Sequence, residues 1–138
     1  MGKVVLKDAF IEVNGVDLSD HCNQVAIEDS ADEVDVTGFG QPYKEYGQGL
    51  KDGNITATFI TDFAAGSVDA TLSPLYASGE PFTVKVRPTS DAKSATNPEY
   101  SQESRLYAYS PIGGGVGDAS TTDVTFRNAG NGIEKATA

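Results

Sequence analysis

Four consecutive residues, Ser19, Asp20, His21 and Cys22, include the only histidine and the only cysteine of this chain. Nucleophilic catalysis usually rests on such residues. A Ser/His/Asp triad, however, is assembled in space, often with its serine on a strained elbow, and immediate neighbours in a polar run do not meet that need. Cys22 would require a lowered pKa to act as a thiolate, and Asp20 beside it works in the opposite direction. His21 finds no partner set in the sequence, so the run reads as a polar turn. Five carboxylates, Glu28, Asp29, Asp32, Glu33 and Asp35, crowd the next stretch. Hard cations favour such clusters, yet the spacing is not that of an EF-hand and no glycine marks its sharp turn. No Cys/His spacing suits zinc, and carboxylate pairs are too numerous here to single out a glycosidase acid and base. The run 112–118, IGGGVGD, lacks the Gly-Lys-Ser/Thr ending of a phosphate loop and no helical pattern follows it, so its glycines read as a turn with positive φ. The residues thus point to no enzyme, no metal and no cofactor.

The elements around these residues are mostly strands. Asn14-Gly15 between Val13 and Val16 suits a two-residue hairpin turn, which sets Val13 opposite Val16, Ile11 opposite Leu18 and Glu12 opposite Asp17. Gln24 to Glu28 alternates as a third strand, and Val34 and Val36 resume the alternation beyond the acidic cluster. A glycine-punctuated loop from Gly38 to Gly53 follows, carrying Phe39, Tyr43 and Tyr46. Next, Asn54 to Thr61 places Ile55, Ala57 and Phe59 inward and Asn54, Thr56 and Thr58 outward. Ser67 is positioned to cap a helix whose apolar stripe is Val68, Leu72, Leu75 and Tyr76, ending near Gly79. Pro74 either kinks that helix or opens a second turn capped by Ser73. Strands are predicted over Phe82–Arg87 (Phe82, Val84 and Val86 inward), Tyr100–Tyr109, and Thr121–Arg127 with Thr122, Val124 and Phe126 buried.

The chain has 138 residues, enough for one domain with a real core and not for two. Many Gly, Thr, Ser and Val with no Trp suit a β-rich fold with frequent turns. Twenty acidic against ten basic residues give a net charge of −10, which excludes sequence-specific nucleic-acid binding because phosphates need a basic face. Such a surface serves solubility, or forms a wall along which DNA passes without sticking. The single cysteine leaves the fold to packing alone. The stretch MGKVVLKDAF lacks the apolar core of a leader, and no apolar run approaches the roughly 18 residues of a membrane span.

Two long stretches carry a resemblance. Gly49 to Asn54 followed by ATFITDFAAGSVDATLSPLYASGEPFTVKVRPTS, and NPEYSQESRLYAYSPIGGGVGDASTTDVTFRNAG, resemble in wording and order of elements the tail tube (major tail) proteins of long-tailed bacteriophages and gene transfer agents. The resemblance covers most of the chain. It implies a mainly β domain, a β-sandwich or small barrel of about eight strands over residues 1–138 with one short flanking α-helix. It further implies a structural subunit, assembled in the bacterial cytoplasm, whose six-fold rings stack into the hollow tail of a virion or phage-like particle. Its partners would be itself, tape-measure, tail-terminator and tail-tip proteins, with DNA as passing, non-specific cargo and no membrane insertion.

In such an assembly the Gly38–Gly53 loop, with Phe39, Tyr43, Lys44, Glu45, Tyr46 and Lys51, is expected to contact a neighbouring subunit or ring, since aromatic anchors concentrate interface energy. Asn54, Thr56 and Thr58 are expected to face the lumen. Two rivals follow from the same residues. One is a monomeric β-sandwich binding module of carbohydrate-binding or adhesin type, using Tyr43, Tyr46, Tyr107 and Tyr109 as stacking platforms. The other is the tube protein of a contractile secretion system.

Overall fold

The computed structural model describes residues 3–137. Met1 and Gly2, part of the N-terminal stretch read above for a leader, and Ala138 lie outside them. Elements run in the order β1 (Phe10–Val13), β2 (Val16–Asp17), a 3-10 turn (Ser19–His21), β3 (Cys22–Asp35), β4 (Tyr46–Ile60), α1 (Val68–Ser78), β5 (Phe82–Arg87), β6 (Glu99–Arg105), β7 (Thr121–Asn128) and β8 (Glu134–Ala136).

Asn14 and Gly15 both take positive φ, 51° and 83°, as a type I′ turn demands, and Glu12↔Asp17 and Val13↔Val16 pair as the turn dictates. The like charges of Glu12 and Asp17 are relieved on the far side, where Lys85 pairs across from Glu12. α1 continues through Pro74 as one helix, so no separate turn capped by Ser73 opens there. It stops at Gly79, whose left-handed conformation (φ 69°) lets its N–H bond the Leu75 carbonyl. Ser67 sits at the N-cap but its hydroxyl makes no capping bond.

All eight strands belong to one antiparallel sheet of order β2-β1-β5-β6-β7-β4-β3, with β8 pairing β6. The sheet is one curled layer left open, as a small barrel would be before closure, and not two stacked sheets. Its two edges approach where Leu6, Ala9, Val25, Ile27 and Val86 line a small apolar cleft. The concave face is the core. Ile11 and Val13, Ile55, Ala57 and Phe59, Phe82, Val84 and Val86, and Val124 and Phe126 meet there, capped by Val68 and Leu72 of the helix. Phe82 and Phe126 stack edge to face, 5.8 Å apart at 82°.

Three expectations are corrected. β3 is one strand of 14 residues, so the acidic cluster lies within a strand and not in a loop before the alternation resumes. The glycine-punctuated region is a loop only over 36–45; its second half, Tyr46–Gly53, is the first half of β4, paired with β3. The strand predicted over Tyr100–Tyr109 begins at Glu99 and ends at Arg105, because Leu106 turns into the core and Tyr109 leaves the sheet to stack on Tyr76 of α1, 6.3 Å away. β8 carries no two-residue alternation long enough to mark it.

One polar pair lies inside the core. Gln102, 1% exposed, donates through Nε2 to Ser104 Oγ (2.8 Å) and to the Phe126 carbonyl (3.0 Å), while its Oε1 has no partner among the described residues. Gly53 is the backbone that passes over it. A Cβ at Gly53 would fall 2.6 Å from Gln102 Oε1 and 3.1 Å from Ile133 Cγ1. Gly53→Ala should therefore lower the urea midpoint by an amount equivalent to about 1–3 kcal/mol, the usual cost of overpacking; an unchanged midpoint would show that Gln102 swings aside freely.

Candidate assembly interface

The β3–β4 hairpin is built in two halves of different chemistry. In its proximal half, Val25 and Ile27 pair with Ala57 and Ile55 and pack on the core, and β7 continues the sheet on the far side of β4 through Asn54↔Arg127 to Ile60↔Thr121. In its distal half, Asp29–Asp35 against Tyr46–Gly53, β7 is gone and the two strands stand alone as a ribbon. A two-stranded ribbon by itself is marginal in water. This one nevertheless exposes Val34, Val36, Tyr46 and Leu50, the last 83% exposed, with Phe39 and Tyr43 at its tip. The outer edge of β3 has no strand partner along its length among the described residues.

The tip holds itself in shape. Thr37 donates its N–H to Asp35 Oδ1 (2.9 Å), its hydroxyl accepts from the Glu45 N–H (2.8 Å), and Val36 N–H bonds the Glu45 carbonyl (2.9 Å). Hydrogen bonds from Thr37 hold the Asp35 carboxyl below its ordinary pKa. Across the ribbon, β4 carries one extra residue opposite Asp32, where the register shifts between Ala31↔Lys51 and Glu33↔Gln48. Asp32, Val34 and Val36 then lean over a side-chain-free strip: a Cβ on Gly49 would lie 3.0 Å from Val34 and 3.1 Å from Asp32, and one on Gly47 3.5 Å from Val36. The acidic cluster thereby gains a physical reading. Its carboxylates alternate between both faces of an unpaired edge, where charge and a bulge discourage promiscuous pairing. Among the described residues, no group of three or more His, Cys, Asp or Glu is arranged to hold a metal ion.

The contact residues expected from sequence are all exposed and are spread from the tip onto β4. Phe39, Tyr43 and Lys44 lie in the tip, Glu45 at its base, and Tyr46 and Lys51 on β4. On the convex face, three cross-strand rows run Gln24–Thr58–Asp123, Ala26–Thr56–Thr125 and Glu28–Asn54–Arg127. Asn54, Thr56 and Thr58 thus lie where the alternation put them, opposite the core. Thr58 donates to Asp123 Oδ1 (2.9 Å), and Arg127 donates to Asn54 Oδ1 (3.4 Å). The tyrosines of the sugar-binding rival do not share a surface. Tyr46 lies ten residues, roughly 30 Å, along β4 from the Thr56 that borders Tyr107. Tyr109 is tied by its hydroxyl to Asp69 Oδ1 (2.6 Å). Partial burial and that carboxylate push the Tyr109 phenol well above its usual pKa.

No protein-family model and no curated protein matches the sequence. Solved structures do match in shape. The SPP1 tail tube aligns with a TM-score of 0.76 at 12% identity, over 99% of this chain and 80% of that one. The tail of an empty gene transfer agent particle, refined helically with C6 symmetry, aligns at 0.68 and 16% identity, over 86% and 83%. A chain of the sheath–tube complex of an extracellular contractile injection system aligns at 0.73 and 12% identity, over 99% and 93%. The chain has the tail tube fold.

Within this tail tube fold, the Ser19–Cys22 run is not the partnerless turn that sequence adjacency suggested. His21 Nδ1 meets Asp20 Oδ1 at 2.9 Å and Nε2 meets Asp62 Oδ2 at 2.8 Å, from 41 residues away. Ser67 at the start of α1 donates to that same Asp62 oxygen (2.8 Å) and stands 3.4 Å from Nε2. Ser, His and Asp are thus together, but the Ser67 proton is committed to Asp62 and the Asp62 carboxylate occupies the nitrogen a nucleophile would use. The cluster ties the base of β3 to α1. Asp62 also accepts from the Ala64 N–H (2.9 Å), closing a local turn just before the helix. Cys22 is raised in pKa chiefly by burial, not by Asp20 as expected, and is a poor nucleophile.

Hydrogen bonds to Asp20, then to Asp62, raise the His21 pKa above 6.5 against a partly opposing desolvation, and Asp62 is lowered by the Ala64 N–H, Ser67 and His21. A raised histidine stabilises fully below its unfolded pKa and loses that contribution as pH rises through the folded value; a lowered aspartate stabilises above its unfolded pKa and loses it on acidification. The stability gap between the unsubstituted chain and His21→Ala should therefore be wider at pH 5.5 than at pH 8.5 in urea unfolding. An equal gap at both pH values would refute the clamp.

Proposed function

We propose that this chain is the repeating subunit of a hollow tail tube, assembled in the bacterial cytoplasm and carried in the tail of a virion or phage-like particle. Six copies form a ring and the rings stack. The observation that carries this reading is the distal β3–β4 ribbon, an exposed apolar two-stranded extension on a fold shared over nearly the whole chain with the SPP1 tail tube. Six-fold closure is supported by the C6 symmetry of the gene transfer agent tail with the same fold. Head-to-tail contacts of this type close into rings when their rotation permits, and they give free edges a partner.

The tip and ribbon residues Phe39, Tyr43, Lys44, Glu45, Tyr46 and Lys51 reach a neighbouring subunit or ring. The convex rows containing Asn54, Thr56 and Thr58 face the lumen. Over β3, β4 and β7 that face also presents Glu28, Asp52 and Asp123 against Arg127, so a nucleic acid passing these rows would be repelled weakly along its length and would slide, not bind. This charge pattern favours DNA as cargo over the contractile-system reading, whose fold is equally close. Tape-measure, tail-terminator and tail-tip proteins are the further partners, and the chain performs no catalysis.

Deleting Gln41–Gln48 removes the second half of the tip and the first three residues of β4 while sparing every core residue. The variant should keep the circular dichroism and urea midpoint of the full chain and form no rings or tubes in negative-stain electron microscopy. Intact tubes from it would sink the assignment of the ribbon.

A further inference from the structure

The N-terminal segment before β1 is a second element without a strand partner among the described residues, although its end is tied down where Ser90 donates to Asp8 Oδ2 (2.9 Å). Lys3 to Ala9 makes no backbone hydrogen bond among the described residues, and it exposes Val4, Val5 and Leu6 at 60%, 73% and 59%. Its sequence, Lys3-Val4-Val5-Leu6-Lys7, is β-prone, and its apolar centre is closed at each end by a lysine. The distal edge of β3 is its complement. Asp29, Asp32, Glu33 and Asp35 lie along that edge with no cation on the same strand, and Val34 and Val36 stand among them. The other free edge, on distal β4, carries Lys51 and leads to Lys44, so it does not offer the same complement.

We propose that Lys3–Lys7 of one copy adds as a strand to the free β3 edge of another copy, over Asp29–Val36. Backbone groups unpaired on both sides supply the ladder, Val4 and Leu6 meet Val34 and Val36 on one face, and Lys3 and Lys7 meet Glu33 and Asp35 on the other. The arm cannot serve its own ribbon. Leu6 borders Val25 and Ile27, so Lys3 reaches only about 10 Å beyond that point. Val34 lies seven residues further along β3 than Ile27, roughly 23 Å away. The contact is therefore between copies and heterologous, an arm on one and an edge on the other, and so propagates.

This inference rests on the tube-subunit reading and names one joint within it. The test uses three full-length variants: Lys3→Glu with Lys7→Glu, Glu33→Lys with Asp35→Lys, and all four together. All substituted side chains are exposed, and circular dichroism checks that each variant folds. In low salt, where surface charges are least screened, each pair alone should raise the concentration needed for tube formation by about tenfold, and the combination should return it toward the original value. Recovery cannot come from net charge alone, because the variant with Glu33 and Asp35 replaced weakens assembly while making the chain less negative. Tubes from the unsubstituted chain together with unchanged assembly of the lysine variant would overturn the arm and leave the tube reading standing. An unsubstituted chain that stays monomeric throughout would overturn both.

Discussion

The pairing of β3 with β4 is the interaction on which the rest of this molecule depends. It runs from Cys22↔Phe59 to Asp35↔Tyr46 and is the longest hydrogen-bonded ladder in the sheet. Its proximal half brings Ile55, Ala57 and Phe59 under the helix and gives β7 an edge to join. Its distal half keeps going after the hydrophobic reason for a sheet has ended. A chain selected only to fold would stop at Gly53, where the core stops. Continuing costs ordered backbone without burial, a cost that the proposed contact with a neighbouring copy would offset.

The same logic explains where polar groups are tolerated. Inside the body, Gln102 and Ser104 are accepted because they bond each other and the β7 backbone, and Glu99 is accepted because Arg87 (2.9 Å) and Lys93 (3.4 Å) neutralise it. At the base of the hairpin, His21, Asp20, Asp62 and Ser67 make a polar knot that anchors β3 to α1. The ribbon is thus mounted on a braced root: bending it would strain a histidine held between two carboxylates as well as the sheet itself.

Much of the body was legible because local chemistry and period agree there. Asn14-Gly15 demands its turn, Gly79 its helix end, and the alternations at Ile55–Phe59, Phe82–Val86 and Thr122–Phe126 each select one buried face. The ribbon was misread for a physical reason. Gly47, Gly49 and Gly53 weaken any strand signal, and the acidic β3 residues have no buried face to alternate against, so period carries no information where neither side is covered. The His21 cluster was invisible for another reason: its decisive member, Asp62, is distant in sequence, and only the closing of the sheet brings it near. Two-residue spacing likewise placed Asn54, Thr56 and Thr58 on the convex face, but what that face meets is a property of an assembly.

The extra β4 residue opposite Asp32 has a consequence for how such a ribbon can vary. Side chains in a strand alternate with a period of two, and a single inserted residue exchanges the partners on one strand from that point to the tip. Lengthening or shortening the ribbon by two residues on each strand would preserve which groups look outward; a change of one would invert them. Divergence of this hairpin among related chains is therefore quantised: its reach is free to change in pairs of residues, while its parity is inherited from one bulge.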